Sequence, residues 1–383
     1  MNQKTVDIPS LTALRGIAAL LVMAMHFDSM VVHLQFSPSS RFLGNAYLMV
    51  DLFFIMSGFI LMHVYSGSFS QSLGWTDYVS FLRARLARIY PLHVVMLAII
   101  VIVYYSHVNP YMSGTLASLI HNPSALITHL FLCQSFGVHN IFTWNPPSWS
   151  ISAEWFSYLL FPLLFIFVKK QGTRGWMMLG LMSLVLYLSV VYWVPRSHVP
   201  WNLPNEQDVN VTFEFGYLRG LAGFICGMMC YPLFKHKTVH SFLKADVLGG
   251  VCLVVAAYLL NGAWHDLLYI PLFMLLVLTV AANQGLLRKL WLLPALQFIG
   301  TISYSIYLTH YMLILCVGIP LLDLTGHPYT GPGSVSLPLY ASIPYVMVFT
   351  LVVILFSWFT YTYVEKPLRN LLKGKRNMSS VTH

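Results

Sequence analysis

The chain has 383 residues, of which 57% are hydrophobic and only 9% charged, with a formal net charge of +9. A water-soluble domain holds about 25% charged residues, so this composition excludes one and points to a polytopic membrane protein. The positive balance needs no nucleic acid to explain it, because Lys and Arg fall where a membrane protein puts them.

Ten segments are apolar and long enough to cross a bilayer, near 11–33, 42–64, 89–106, 149–168, 175–194, 211–234, 245–262, 264–283, 294–319 and 340–364. The short polar amino end shows no cleavable signal pattern. With that end in the cytoplasm, eighteen Lys and Arg fall inside, from Lys4 and Arg15 to Lys375 and Arg376. Only Arg41 and Arg196 fall outside, and Arg219 lies within the sixth segment. This asymmetry predicts an even number of spans with both termini cytoplasmic. The outer stretch 107–148 holds no Lys or Arg. Its part 115–136 is apolar enough to dip into the membrane, so an interfacial or re-entrant helix closed by Pro146 and Pro147 is expected. The predicted fold is therefore all-α, a polytopic membrane helical bundle of about ten transmembrane helices. The transmembrane domain covers 1–370, a short basic cytoplasmic tail covers 371–383, and no soluble domain is expected at either end. Cys133, Cys226, Cys230, Cys252 and Cys316 are scattered without ligand-like spacing, so neither a metal site nor disulfides are expected.

Chemistry begins in the first segment. Arg15 and His26 in LTALRGIAALLVMAMHF are eleven residues apart. Eleven steps of ~100° return to nearly the same helical face, ~16 Å further along the axis. Arg15 then sits at one surface and His26 near mid-membrane. Such groups are costly in lipid, so the pair predicts a solvated pocket inside the bundle, open toward Arg15. Asp51, Glu154, Arg219 and His310 fall at similar depth on four other segments, and that convergence suggests a shared cavity. Asp51 either accepts bonds from neighbouring helices or orients the imidazole. Glu154 is either a capping carboxylate or a functional one. Ser57-Gly58 most simply permits close helix packing. Tyr307 and His310, one turn apart, form a polar stripe that suits helix–helix hydrogen bonding or a site. Arg83, Arg85 and Arg88 precede the third span, where they either orient the chain or clamp an anion, since the arginine fork suits phosphate.

Together these stretches resemble the acyltransferase 3 family of bacterial integral-membrane acyltransferases. The matching pieces are LTALRGIAALLVMAMHF, VDLFFIMSGFIL, RARLARIYPLH, PSWSISAEWFSYLLFP, IGTISYSIYLTHYML and YVEKPLRN, in the family's order. The resemblance implies an acyl-CoA donor, often acetyl-CoA, used as a substrate from the cytoplasm, with no tightly bound cofactor. It implies an acceptor hydroxyl on a surface polysaccharide, lipopolysaccharide, other glycan or small molecule, and a multi-pass location in the bacterial inner membrane. Arg15 and His26 are its essential Arg-x10-His motif, and Arg85 and Arg88 its arginine pair. Any second, extracytoplasmic protein needed to finish the transfer is expected to be a separate chain.

The expected roles follow. His26 is the base, with Asp51 or Glu154 holding its other ring nitrogen. Arg15, Arg83, Arg85 and Arg88 bind the donor phosphates. Arg219, Trp149, Tyr307 and His310 contact the acceptor, aromatic faces being suited to sugar rings. The competing reading is a proton-coupled transporter of a small polar solute, since buried charges and histidines also mark proton relays. No inverted halves with matching broken helices stand out in its favour.

Overall fold

The computed structural model describes residues 8–35, 40–71, 74–107, 112, 120–194, 208–327, 329–331 and 335–373. Lys4, Arg196, Lys375, Arg376, the rest of the tail beyond 373 and the 115–119 portion of the expected re-entrant helix lie outside the described residues.

The protein is a bundle of apolar helices. Helix α1 spans Pro9–Met30, with proline at its first turn, where no amide partner is needed. Helix α2 spans Met49–Gln71 and α3 Trp75–Tyr105. A short α4, Ala125–Leu130, precedes α5, Trp149–Gln171, and α6, Thr173–Tyr192. Then come α7, Gly216–Lys235, α8, Lys237–Leu243, α9, Asp246–Leu260, and α10, Tyr269–Ala282. Helices α11, Leu286–Trp291, and α12, Pro294–Thr301, lead into α13, Ser303–Leu313. A π turn at Ile314–Gly318 carries α13 into α14, Ile319–Leu324. Helix α15 spans Leu339–Thr360 and passes through a second π turn, Tyr361–Glu365, into α16, Lys366–Lys373. The described residues also pair two three-residue strands in parallel, β1 His33–Gln35 and β2 Ser336–Pro338, tying the end of α1 to the start of α15.

By length and composition eight described helices can cross a membrane, or nine if the α8–α9 pair, bent by 67°, is one span. The expected segments 245–262 and 264–283 are helical but short, at 15 and 14 residues against the ~20 a straight crossing needs. Expected segment 294–319 is broken at Ile302 between α12 and α13. Helix α3 starts fourteen residues before expected segment 89–106, because Leu, Ala and Arg continue a helix as readily as apolar residues do. The three arginines thus lie within α3 rather than ahead of it.

Within the described part of the expected re-entrant helix, α4 is a six-residue helix, and residues 121–124 and 131–136 are irregular. A buried loop must satisfy its own polar groups. Gln134 donates to the Ser148 carbonyl (2.9 Å), Ser135 Oγ shares a hydrogen bond with Ser152 Oγ (2.8 Å), and Trp144 Nε1 donates to the Asn122 carbonyl (3.0 Å). Asn145 Nδ2 donates to the Leu308 carbonyl (3.1 Å), pinning the loop to α13.

Two close crossings position the site. On α2 and α7, a Cβ on Gly58 would collide with the Phe224 carbonyl and one on Gly227 with the Ile55 carbonyl. Only glycine lets these backbones approach so closely, as expected of Ser57-Gly58. Between α1 and α12, a Cβ on Gly16 would lie 2.6 Å from the Gly300 amide nitrogen. That second crossing brings Arg15 against the start of α13.

Candidate active site

A cavity with about 840 Å³ of unfilled space, open solvent included, lies among α1, α2, α3, α5 and α13. Arg15, Arg85 and Arg88 line it together with Ser57, Glu154, Tyr158, Ser303, Tyr304 and Tyr307; Phe53, Met56, Ile60 and Leu61 give it an apolar wall. Arg15 is held at two points: its Nε donates to Ser303 Oγ (3.1 Å) and its Nη2 to the Gly300 carbonyl (3.4 Å). Arg85 and Arg88 are three residues apart, so they share a face of α3. Arg85 Nη2 donates to Tyr65 OH (3.2 Å), and its guanidinium lies 5.5 Å from the centre of that ring. Arg83 is two residues from Arg85 and points elsewhere. It is exposed, and its Nε donates to the Leu372 carbonyl (2.8 Å). The structure therefore brings Arg15, Arg85 and Arg88 together and leaves Arg83 outside.

Two carboxylates stand in the field of these arginines. Glu154 accepts from Ser57 Oγ (2.9 Å) and, in a short bond, from Tyr158 OH. Glu365 is buried at the end of the second π turn. It accepts from Ser305 Oγ (2.9 Å), and Arg369 Nη1 lies 3.7 Å from its other oxygen. Arg15 and Arg88 both act electrostatically on Glu365 and Glu154. Glu365 has no role in the sequence reading. The signal was present in YVEKPLRN, a lone acid among basic residues just beyond the last apolar run.

His26 is half-buried and lies outside the cavity lining. Its ring centre is 5.0 Å from that of His310, which is fully buried. Tyr307, on the lining, packs edge-on against His310 at 5.9 Å. His26 Nδ1 lies 3.0 Å from the Val22 carbonyl and 3.1 Å from His310 Nε2, and His310 Nδ1 lies 3.1 Å from the Ile306 carbonyl. The partner of the His26 ring is thus His310, in place of the expected Asp51 or Glu154. Tyr307 OH donates to the Pro147 carbonyl (3.1 Å) and accepts from Ser150 Oγ (2.9 Å).

Asp51 is committed elsewhere. Arg219 Nη2 and Nε reach its carboxylate at 2.6 and 3.1 Å, and neither side chain is exposed. The remaining Arg219 donors go to the Tyr47 carbonyl (3.2 Å), Asn210 Oδ1 (3.3 Å) and the Val211 carbonyl (3.5 Å). The rings of Trp149 and Tyr47 flank the guanidinium at 5.3 and 5.7 Å. A buried guanidinium demands this enclosure, and it leaves Arg219 and Trp149 without an open face for an acceptor. The five ionisable groups of similar depth thus divide among three places instead of sharing one cavity, because depth along a helix does not fix the face.

With this geometry in view, the sequence comparisons decide the class. The model of a family described as an acyltransferase domain matches residues 8–362. The chain belongs to the acyltransferase 3 family. It is similar to the acyltransferase MdmB of Streptomyces mycarofaciens, 28% identical over an alignment of 342 positions that covers 82% of this chain and 81% of that protein. It is also similar to the peptidoglycan O-acetyltransferase OatA of Listeria monocytogenes, 25% identical over an alignment of 342 positions that covers 83% of this chain and 51% of that protein. The chain thus spans only about half the length of OatA. No solved structure matches it. Family and fold together make it a multi-pass membrane protein of an acyltransferase class.

Proposed function

We propose that this acyltransferase takes an acyl group, acetyl being the expected one, from cytoplasmic acyl-CoA. It passes the group to a hydroxyl of an extracytoplasmic glycan or related acceptor, from a bundle in the bacterial inner membrane with both termini in the cytoplasm. The observation that carries this reading is the cavity that gathers Arg15, Arg85 and Arg88 one ring away from the His310–His26 pair. Guanidinium forks suit the phosphates of CoA, and the apolar wall suits a thin, largely uncharged arm. Peptidoglycan joins polysaccharide and lipopolysaccharide as an acceptor class on the strength of the OatA likeness.

In the transfer, His26 Nε2 takes the proton of the acceptor hydroxyl as its oxygen attacks the thioester carbonyl. The tetrahedral intermediate collapses by breaking the carbon–sulfur bond. The proton on Nε2 then passes to the leaving thiolate, so that ester and free CoA thiol are the products. Where the acceptor lies beyond the outer membrane face, a separate extracytoplasmic protein completes delivery.

Mass spectrometry of surface glycans from the native host, with and without the gene, tests the reading. Loss of acetyl increments in the strain lacking the gene is the expected result. Unchanged glycans, with solute uptake into proteoliposomes in the absence of acyl-CoA, would favour the transporter reading instead.

A further inference from the structure

We infer that His310 is the positioning residue of the transfer, setting the tautomer of His26 so that Nε2 is left with a free lone pair; this rests on the base role given to His26 above. Hydrogen-bond chemistry decides the tautomers. A backbone carbonyl accepts and never donates, whereas a neutral imidazole has one donor and one acceptor nitrogen. The Ile306 carbonyl faces Nδ1 of His310 at 3.1 Å, so that nitrogen carries the hydrogen and Nε2 is an acceptor. The Val22 carbonyl faces Nδ1 of His26 at 3.0 Å, so that nitrogen also carries a hydrogen. The two rings meet through His26 Nδ1 and His310 Nε2 at 3.1 Å, so the one hydrogen on His26 Nδ1 is shared in a three-centre bond between the Val22 carbonyl and His310 Nε2. The reverse pair of tautomers would aim nitrogen lone pairs at both carbonyls. It is disfavoured at each end.

The consequence falls on the far side of the His26 ring. With Nδ1 protonated, Nε2 is the basic nitrogen. Among the described residues no group hydrogen-bonds to it, and the ring is only half-buried. When Nε2 takes a proton, the imidazolium keeps its Nδ1–H between the Val22 carbonyl and His310 Nε2, two neutral acceptors already in place. That is the role a buried carboxylate fills in many histidine sites, here filled by an uncharged carbonyl and an uncharged ring. His310 is itself well fixed. It is fully buried, it packs against Tyr307, and the loop residue Asn145 binds the carbonyl of Leu308 two residues earlier.

The test uses the full chain in lipid nanodiscs and in its native host. Glutamine at 310 offers an acceptor oxygen in the region of Nε2, whereas leucine offers none. Relative to the parent, His310→Leu should lower base-labile acetate on surface glycans by about 100-fold, the scale of losing an oriented base. His310→Gln should stay within about tenfold of the parent. Neither change should weaken binding of acetyl-CoA, because His310 is not on the cavity wall. In ¹⁵N-histidine spectra, the His26 signal, assigned by its absence in His26→Ala, should show protonated Nδ1 and bare Nε2 in the parent and in His310→Gln. In His310→Leu, where the Val22 carbonyl alone is left to hold Nδ1–H, it should show a larger share of the tautomer with hydrogen on Nε2. A parent His26 with hydrogen on Nε2, or undiminished transfer by His310→Leu, would overturn the inference; so would equal loss in both variants with the His26 tautomer unchanged. Failure of the base assignment shows separately, as full transfer by His26→Ala, and leaves the tautomer readout standing on its own.

Discussion

The Asp51–Arg219 pair offers the sharpest division between a structural and a chemical role. The two side chains are fully buried, and three nitrogen–oxygen contacts of 2.6, 3.1 and 3.2 Å join α2 to α7. Removing one partner strands the other charge in a dry interior, which costs about 3–5 kcal/mol. At ~1.36 kcal/mol per decade this is roughly a hundred- to several-thousand-fold in the folding equilibrium. What Arg219 retains sets where each variant falls. Its remaining acceptors at 3.2, 3.3 and 3.5 Å are neutral, and its two flanking rings are present in parent and variant alike. Asp51→Asn keeps one amide oxygen as an acceptor and should sit near the lower bound; Asp51→Leu keeps none and should sit near the upper. Replacing both, as Asp51→Leu with Arg219→Met, removes the stranded charge and should recover most of the loss. The assay is reversible unfolding in mixed micelles against SDS mole fraction, run as a double-mutant cycle. Strictly additive single effects, or single variants as stable as the parent, would refute the reasoning. So would a stably folded double variant with no acyl transfer, since the pair would then act in the chemistry.

Other outcomes follow from the same geometry. His26→Ala should lower glycan acetylation by about 10²–10⁴-fold while the protein stays folded, read as base-labile acetate on the host surface. Arg85→Ala with Arg88→Ala should raise the KM for acetyl-CoA at least tenfold, given ~1.5–3 kcal/mol for each hydrogen bond to a charged group. Arg83→Ala, whose side chain is exposed and bonded to the Leu372 carbonyl, should leave that KM at the parent value. Gly58→Ala or Gly227→Ala should cost about 1–3 kcal/mol or more, because the new Cβ meets a backbone carbonyl that cannot yield. Gly250→Ala, with nothing within 4 Å of its Cβ position, should hold stability or raise it, by up to about 1 kcal/mol from helix propensity. SDS unfolding measures all three glycine variants.

Class and span pattern were legible because membrane insertion is a property of composition over twenty-residue windows. Helices α1, α2, α5, α6, α7 and α15 each overlap an expected segment for that reason. The sharing of a face by Arg85 and Arg88 was legible too, since three residues is nearly one turn. What periodicity could not supply was partner choice across helices. His26 and Asp51 have similar computed depth, yet one meets His310 and the other Arg219, and only the packing of α1, α2, α7 and α13 decides between them. Hydropathy also hid the true start of α3, because arginine lowers the apolar score without interrupting the helix. In the outer loop, apolar residues around Leu126 and Leu132 read as a membrane-dipping helix. The polar residues that follow them, Gln134, Ser135 and Asn145, are bonded to Ser148, to Ser152 on α5 and to Leu308 on α13.

The two π turns show why the site escapes any reading by regular period. A π turn adds one residue to a helical turn, which rotates everything beyond it by ~100° relative to a continuous α-helix. One such turn ends at Glu365, and the other begins four residues after His310. In an uninterrupted α15, the position of Glu365 would face about a quarter turn away from Ser305, and its carboxylate would leave the field of Arg15 and Arg88. On α13, the π turn follows His310, so it leaves the Ile306 contact intact and shifts only what lies beyond, toward α14. Only the second π turn therefore sits where a regular helix would separate facing groups, Glu365 and Ser305. The turn thereby leaves a buried carboxylate bonded to Ser305 and in the field of two of the arginines that line the cavity.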